Sequence, residues 1–457
     1  MGNYVRGLER QSDDEALGDS SVTMATMATM RDLAKAARVA SRTLGTSTRT
    51  EKDRALAAIA RALGTPETRA RILAANARDL EAAQARGTRG ALLDRLALDD
   101  ARVESMARAV LQIAGLADPV GETIADAVRP SGIRVRRVRV PIGVIAMIYE
   151  ARPNVTVEAS ALCLKAGNAV ILRGGSEAMH SNVALAAVIG DALEESGLPG
   201  GRDAIALVSL TGHEAIRALL QQTESIDLAI PRGGEALIRF VSECSRVPVI
   251  QHFKGVCHLF VDRGADVAMA VALATNSKLQ RPGVCNAVEC LLVDRKDAPR
   301  VLPRIAEALL EGGCELRVCP ESLALLRGGG GEASEASETS LRLATDADWG
   351  FEFLDKIVAV RLVDEIDGAL AHVARYGSGH TEAICTTSEA HAERWRREAD
   401  CACAVVNAST RFHDGGELGL GAEIGIATSR LHWRGAMGLE SLTTMKWLVD
   451  GQGQVRG

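Results

Sequence analysis

Between residues 141 and 265 short apolar runs alternate with amphipathic stretches, and turns rich in glycine separate them. "NAVILRGG" (168–175) reads as strand and turn, "SEAMHSNVALAAVIGDALEESG" as helix and "AIALVSL" as strand. "HEAIRALLQQ" then reads as helix, and "SIDLAIPRGG" as strand and turn ahead of the helix "EALIRFVSECS". Short runs that are apolar throughout suit strands covered on both faces, and repeated β-turn-α units supply that cover by placing helices on either side of a parallel sheet. A second series begins near Asp266, with "ADVAMAVALATNSKLQ" as helix and "ECLLVD" as strand. The expected fold class is therefore α/β with two parallel-sheet units.

The flanks read differently. From Met24 to about Arg86, alanine and leucine recur at three- and four-residue steps, which predicts three antiparallel helices, with Thr65-Pro66 opening the third. In "IRVRRVRVPIGVIAMIYE" (133–150) the period changes to two, an exposed strand feeding a buried one. Its arginines suit an edge or intersubunit strand better than an anion site. "LTTMKWLVD" (442–450) is a candidate partner for that strand. "RGGGGEASEASETS" (327–340) reads as a flexible surface loop, and residues 1–22 as a disordered extension with no apolar signal core.

Composition narrows the function. The 457 residues are 47% hydrophobic with a net charge of -6, so no general basic face is available for nucleic acid or anionic membrane. Ten cysteines occur without CxxC pairs, and HExxH is absent, which leaves no metal motif and points to reduced thiols in a cytoplasm. Apolar runs such as 140–148 are too short to cross a bilayer.

Two strand-to-helix turns offer backbone N–H groups to a phosphate: Arg173-Gly174-Gly175-Ser176-Glu177 and Pro231-Arg232-Gly233-Gly234. Neither is a GxGxxG fingerprint or a P-loop, and each is as readily a plain turn. Of the two thiols in "LQRPGVCNAVECLLV" (279–293), Cys290 sits among aliphatic residues as packing, whereas Cys285 follows Pro282-Gly283, where a short helix could start and lower its pKa. His252, His258 and His380 are available as partners, yet no spacing ties one to Cys285.

The blocks at 141–178, 280–289 ("QRPGVCNAVE"), 375–384 ("RYGSGHTEAI") and 407–443 together resemble the gamma-glutamyl phosphate reductases, a branch of the aldehyde dehydrogenase superfamily. The resemblance runs from about residue 25 to the C-terminus. It implies an aldehyde dehydrogenase-like fold with two Rossmann-like domains: an NADP-binding domain over 23–130 and 142–265, with 408–440 packing back on it, and a catalytic domain over 266–407. Segments 131–141 and 441–457 would form an oligomerisation element.

By the same resemblance Cys285 is the nucleophile, and Asn154 of "ARPNV" supplies the oxyanion hole with the backbone N–H of the cysteine. Arg173, Gly174, Ser176 and Glu177 fall on the adenosine ribose and the 2'-phosphate of NADP. Pro231, Arg232, Gly233 and Gly234 fall near the pyrophosphate, and Glu352 on the nicotinamide ribose. His380, Arg411 and Asp414 are nominated for the substrate. One departure is informative: where hydrolytic relatives carry a glutamate base, this chain has "QHFKGVCH", with His252 about in its place. The implied reaction is NADPH-dependent reduction of L-glutamyl 5-phosphate to L-glutamate 5-semialdehyde in proline biosynthesis. A homo-oligomer is implied as well, with a separate glutamate kinase supplying the substrate and available for contact. A hydrolytic NAD(P)-dependent aldehyde dehydrogenase and a catalytically inactive nucleotide-binding scaffold are the alternatives.

Overall fold

The computed structural model describes residues 23–328 and 340–456. The extension expected over residues 1–22, and all but the ends of the loop expected at 327–340, lie outside them.

Five helices open the fold: α1 (Met24–Leu44), α2 (Arg49–Gly64), α3 (Pro66–Ala85), α4 (Ala91–Leu96) and α5 (Asp100–Gly115). Thr23, Thr48, Thr65 and Asp99 each accept from the N–H three residues on, which satisfies groups that a helix start leaves bare. Thr65 ends α2 and caps α3, with Pro66 in the first turn.

β1 (Thr123–Val128) and β2 (Arg134–Pro141) form an antiparallel hairpin. β1 was not anticipated, because "TIADAV" is exposed along almost its whole length and carries no burial pattern. β3 (Val144–Tyr149), β4 (Ala169–Gly174), β5 (Ile205–Leu207) and β6 (Leu228–Arg232) build a parallel sheet in the order β5-β4-β3-β6. Helices α6 (Pro153–Lys165), α7 (Met179–Ser196), α8 (His213–Leu219) and α9 (Glu235–Cys244) connect its strands or follow them.

β7 (Cys257–Val261), α10 (Val267–Leu279), β8 (Val288–Asp294), β9 (Glu315–Val318), β10 (Leu341–Leu343), β11 (Ile357–Val363), β12 (Thr381–Cys385) and β13 (Cys403–Val406) follow. Their strands make a seven-stranded parallel sheet in the order β10-β9-β11-β8-β7-β12-β13. The segment 142–265 therefore does not stay with the first sheet: β7 lies between β8 and β12, since "CHLFV" has an all-buried pattern that only a central strand satisfies.

β14 (Gly425–Ala427) and β15 (Gly435–Met437) pair with each other, and Ala427, Met437 and Leu442 join the core of the first sheet. β16 (Thr443–Asp450) then pairs with β2 from Thr443↔Pro141 to Asp450↔Arg134. The β2 arginines are spent across these strands. Arg134 meets Asp126, Arg136 meets Asp450, and Arg139 meets both Glu122 and Glu440. The chain passes between the two large sheets twice, and the passages are joined where Thr428 and Ser429 donate backbone N–H groups to the Gln251 carbonyl.

Candidate active site

In the order β5-β4-β3-β6, crossovers leave β3 and β6 in opposite directions, which makes their C-terminal ends the switch point where open α/β sheets bind ligands. Tyr149 is in register with Gly174 on one side and Arg232 on the other, so the two glycine turns end at one level. Gly174 has no room for a Cβ, which would lie 2.1 Å from the Asn182 amide. Arg173 is buried and donates to the carbonyls of Gly174 (3.2 Å) and Gly212 (3.0 Å), while its Nε has no partner among the described residues. Ser176 and Glu177 open the short turn Ser176–Ala178, and Glu177 folds back to accept from the Ala151 N–H at 2.8 Å. On the β6 turn, the Gly234 N–H donates to Glu150 at 2.9 Å.

Cys285 stands in the connection from α10 to β8. Pro282-Gly283 does not start a helix there: the Ala287 N–H bonds the Val284 carbonyl (3.0 Å) and the chain enters β8 at Val288. With no helix terminus to favour thiolate, burial pushes the Cys285 thiol up to about 11, opposed chiefly by the positive charge of Arg232. Cys290 is fully buried in β8, its Sγ 3.6 Å from His372 Nε2.

The backbone of Gly255, just ahead of β7, lies on Cys285, and the Gly255 N–H donates to Glu352 Oε1 at 2.8 Å. Cys257 Sγ donates to the Cys285 carbonyl at 3.2 Å. Cys285 Sγ and one ring nitrogen each of His252 and His380 lie within 4.8 Å of one another. The His380 ring is 4.9 Å from that of His252 and 5.0 Å from that of His413. Burial pulls His252 and His413 down to about 4 and His380 further, so all three rings are neutral near pH 7.

Asn154, in the first turn of α6, gives one amide hydrogen to Glu158 (3.1 Å) and makes no hydrogen bond to Cys285 among the described residues. Arg411 donates to Gln280 (2.8 Å); together with Asp414, Asn276 and Phe412 it lines a cleft of about 250 Å³. The structure thus brings His380, Glu352 and the charge of Arg232 to Cys285, whereas Arg173, Ser176 and Glu177 sit at the end of β4. Gly255, Thr381 and His413 went unnoticed in the sequence. His413 lies between the two nominated residues Arg411 and Asp414, and only the fold shows that it faces His380.

Residues 14–312 match the aldehyde dehydrogenase family. Gamma-glutamyl phosphate reductase of Sorangium cellulosum is 55% identical over 430 residues, 93% of this chain and 97% of that protein. The chain belongs to the gamma-glutamyl phosphate reductase family. A second member, from Xanthomonas axonopodis pv. citri, is 52% identical over 94% of this chain and its own full length. The crystal structure of gamma-glutamyl phosphate reductase from Thermotoga maritima superposes with a TM-score of 0.89 at 43% identity, covering 94% of this chain and all of that one. An acetylating aldehyde dehydrogenase from Geobacillus thermoglucosidasius shares the fold at 18% identity, with a TM-score of 0.63.

Proposed function

We propose that this member of the gamma-glutamyl phosphate reductase family reduces L-glutamyl 5-phosphate to L-glutamate 5-semialdehyde and phosphate, with NADPH, through a thioester on Cys285. The observation that carries the reading is identity above one half along almost the whole chain with curated members of the family.

Cys285 Sγ attacks the acyl carbon, the C–S bond forms and the C–O bond to phosphate breaks. Asn154 has an amide hydrogen left over from Glu158, and with the backbone N–H of Cys285 it meets the charge developing on the acyl oxygen. A bound nicotinamide cofactor supplies the hydride that reduces the thioester. The residues present suit such a group: a glycine at the switch point that tolerates no Cβ, and a buried guanidinium whose Nε has no partner among the described residues. Arg173, Gly174, Ser176 and Glu177 would hold its adenosine end, with Arg173 favouring NADP, while 231–234 and Glu352 would hold the rest. His380, Arg411 and Asp414 are assigned to the substrate.

His252 stands near the thiol in place of a carboxylate, and at a pKa of about 4 it is a weak base for water. This favours phosphate over water as the partner of the thioester. The decisive assay runs in reverse, with semialdehyde and NADP. Turnover that requires added phosphate supports the assignment, phosphate-independent turnover makes the chain a hydrolytic aldehyde dehydrogenase, and cofactor binding without turnover makes it an inactive scaffold. The enzyme is assigned to the cytoplasm, fed by a separate glutamate kinase, and to a homo-oligomer built on the β1-β2-β16 sheet, which exposes Trp447 and Val449.

A further inference from the structure

Behind Cys285 a line of hydrogen bonds fixes where one proton sits. The Ala436 N–H donates to His413 Nε2 at 3.2 Å, so the proton of that neutral ring is on Nδ1, which faces Thr381 Oγ1 at 2.8 Å. Thr381 Oγ1 accepts it and has its own hydrogen to give to His380 Nδ1 at 2.6 Å. His380 is left with its proton on Nε2, an atom that is buried and without a hydrogen-bond partner among the described residues. An unpaired donor of this kind is costly to bury, and such atoms concentrate where a ligand completes them.

His252, Cys285 and His380 also have the composition of a cation site. The relay opposes that use through His380 Nε2. Ligation there would move the proton to Nδ1, turn Thr381 towards His413, and set a second N–H against that of Ala436.

We propose that Thr381 and His413 are positioning residues that hold His380 as an Nε2–H donor, and that this N–H donates to the oxygen joining the acyl carbon to phosphorus. The inference rests on the function proposed above. One His380 ring nitrogen lies within 4.8 Å of Sγ; with Nδ1 engaged by Thr381, the unpartnered Nε2–H is the one left to meet the two oxygens on the carbon under attack, of which the acyl oxygen is taken by Asn154. The step balances without redox change: C–S forms, C–O breaks, the thiol proton ends on inorganic phosphate, and His380 keeps its own.

The test begins on the unaltered protein. With ¹⁵N-histidine labelling, His380 is expected to carry its proton on Nε2, and a proton on Nδ1 overturns the proposal. In the reverse assay T381V should lower kcat/KM for phosphate about tenfold, the loss of one transition-state hydrogen bond, with KM for NADP unmoved. T381S, which keeps the hydroxyl, should restore most of it. H380L should lose at least as much, and H380Q, whose amide N–H falls near Nε2, should recover part. If turnover requires phosphate yet T381V and H380L leave its kcat/KM intact, this inference fails while the assigned reaction stands. If turnover never required phosphate, the assigned reaction fails first. Stoichiometric zinc retained by the purified protein and lost in H380Q also overturns the proposal, since a ligated Nε2 carries no proton.

Discussion

Gly255 and Cys285 touch backbone to backbone: a Cβ on residue 255 would fall 2.0 Å from the Cys285 carbonyl oxygen. Gly255→Ala must push away the turn that carries Cys285, the proposed nucleophile, and because the same residue's N–H holds Glu352 the displacement reaches the residue proposed for the nicotinamide ribose. A kcat loss of about a hundredfold or more is expected, as for a roughly 1 Å misplacement of reacting groups. Steady-state kinetics beside a thermal melt checks this, and wild-type turnover in G255A would refute it.

The two thiols of one short stretch should behave oppositely. Cys285→Ala is expected to abolish turnover while cofactor binding persists. Cys290→Ala, which removes a small buried thiol and its contact with His372 Nε2, should keep activity and lose about 1 kcal/mol of stability. Activity assays, cofactor titration and urea unfolding separate the outcomes.

Cys285 alkylation should report its buried thiol. With the pKa near 11, the thiolate fraction and hence the iodoacetamide rate should climb about tenfold per pH unit from pH 7 towards 10. Arg232→Met removes the chief group holding that value down, so its profile should shift to higher pH and its rate at pH 8 should fall. Equal rates in the two proteins across this range would remove Arg232 from the thiol's environment.

Lys278 and Glu289 form an ion pair at 2.6 Å with both side chains inaccessible. Breaking it with Lys278→Met strands a carboxyl in the core of the second sheet and should cost about 3–5 kcal/mol, much of it recovered in the double variant Lys278→Met/Glu289→Leu. Denaturant unfolding of wild type, Lys278→Met, Glu289→Leu and the double variant tests this, and additive losses would contradict it.

If the β1-β2-β16 sheet carries the oligomer contact, Trp447→Arg/Val449→Arg should lower the sedimenting mass without unfolding the subunit, because both side chains are exposed. An unchanged sedimentation coefficient would move the contact elsewhere.

Much of this architecture was legible because central parallel strands are mostly apolar: "VIAMIY", "AVILRG" and "VECLLVD" bury every residue, Arg173, Glu289 and Asp294 included. β1 was invisible for the opposite reason, being solvated. β7 was assigned to the wrong unit because strand pairing is a long-range choice that a local pattern cannot record. At the site, Pro282-Gly283 correctly marked a break, but a break announces no helix, and the thiol's pKa moved up with burial instead of down. Thr381 adjoins His380 in the sequence but its role is not legible there, since it depends on His413, which a distant loop sets opposite it.

The two passages between the sheets are tied at Gln251, and Gly255 and Cys285 meet four residues further along. Any axle about which the halves could swing therefore runs beside Cys285, the proposed nucleophile. If the halves open to exchange a cofactor, this tie predicts that Cys285 moves least.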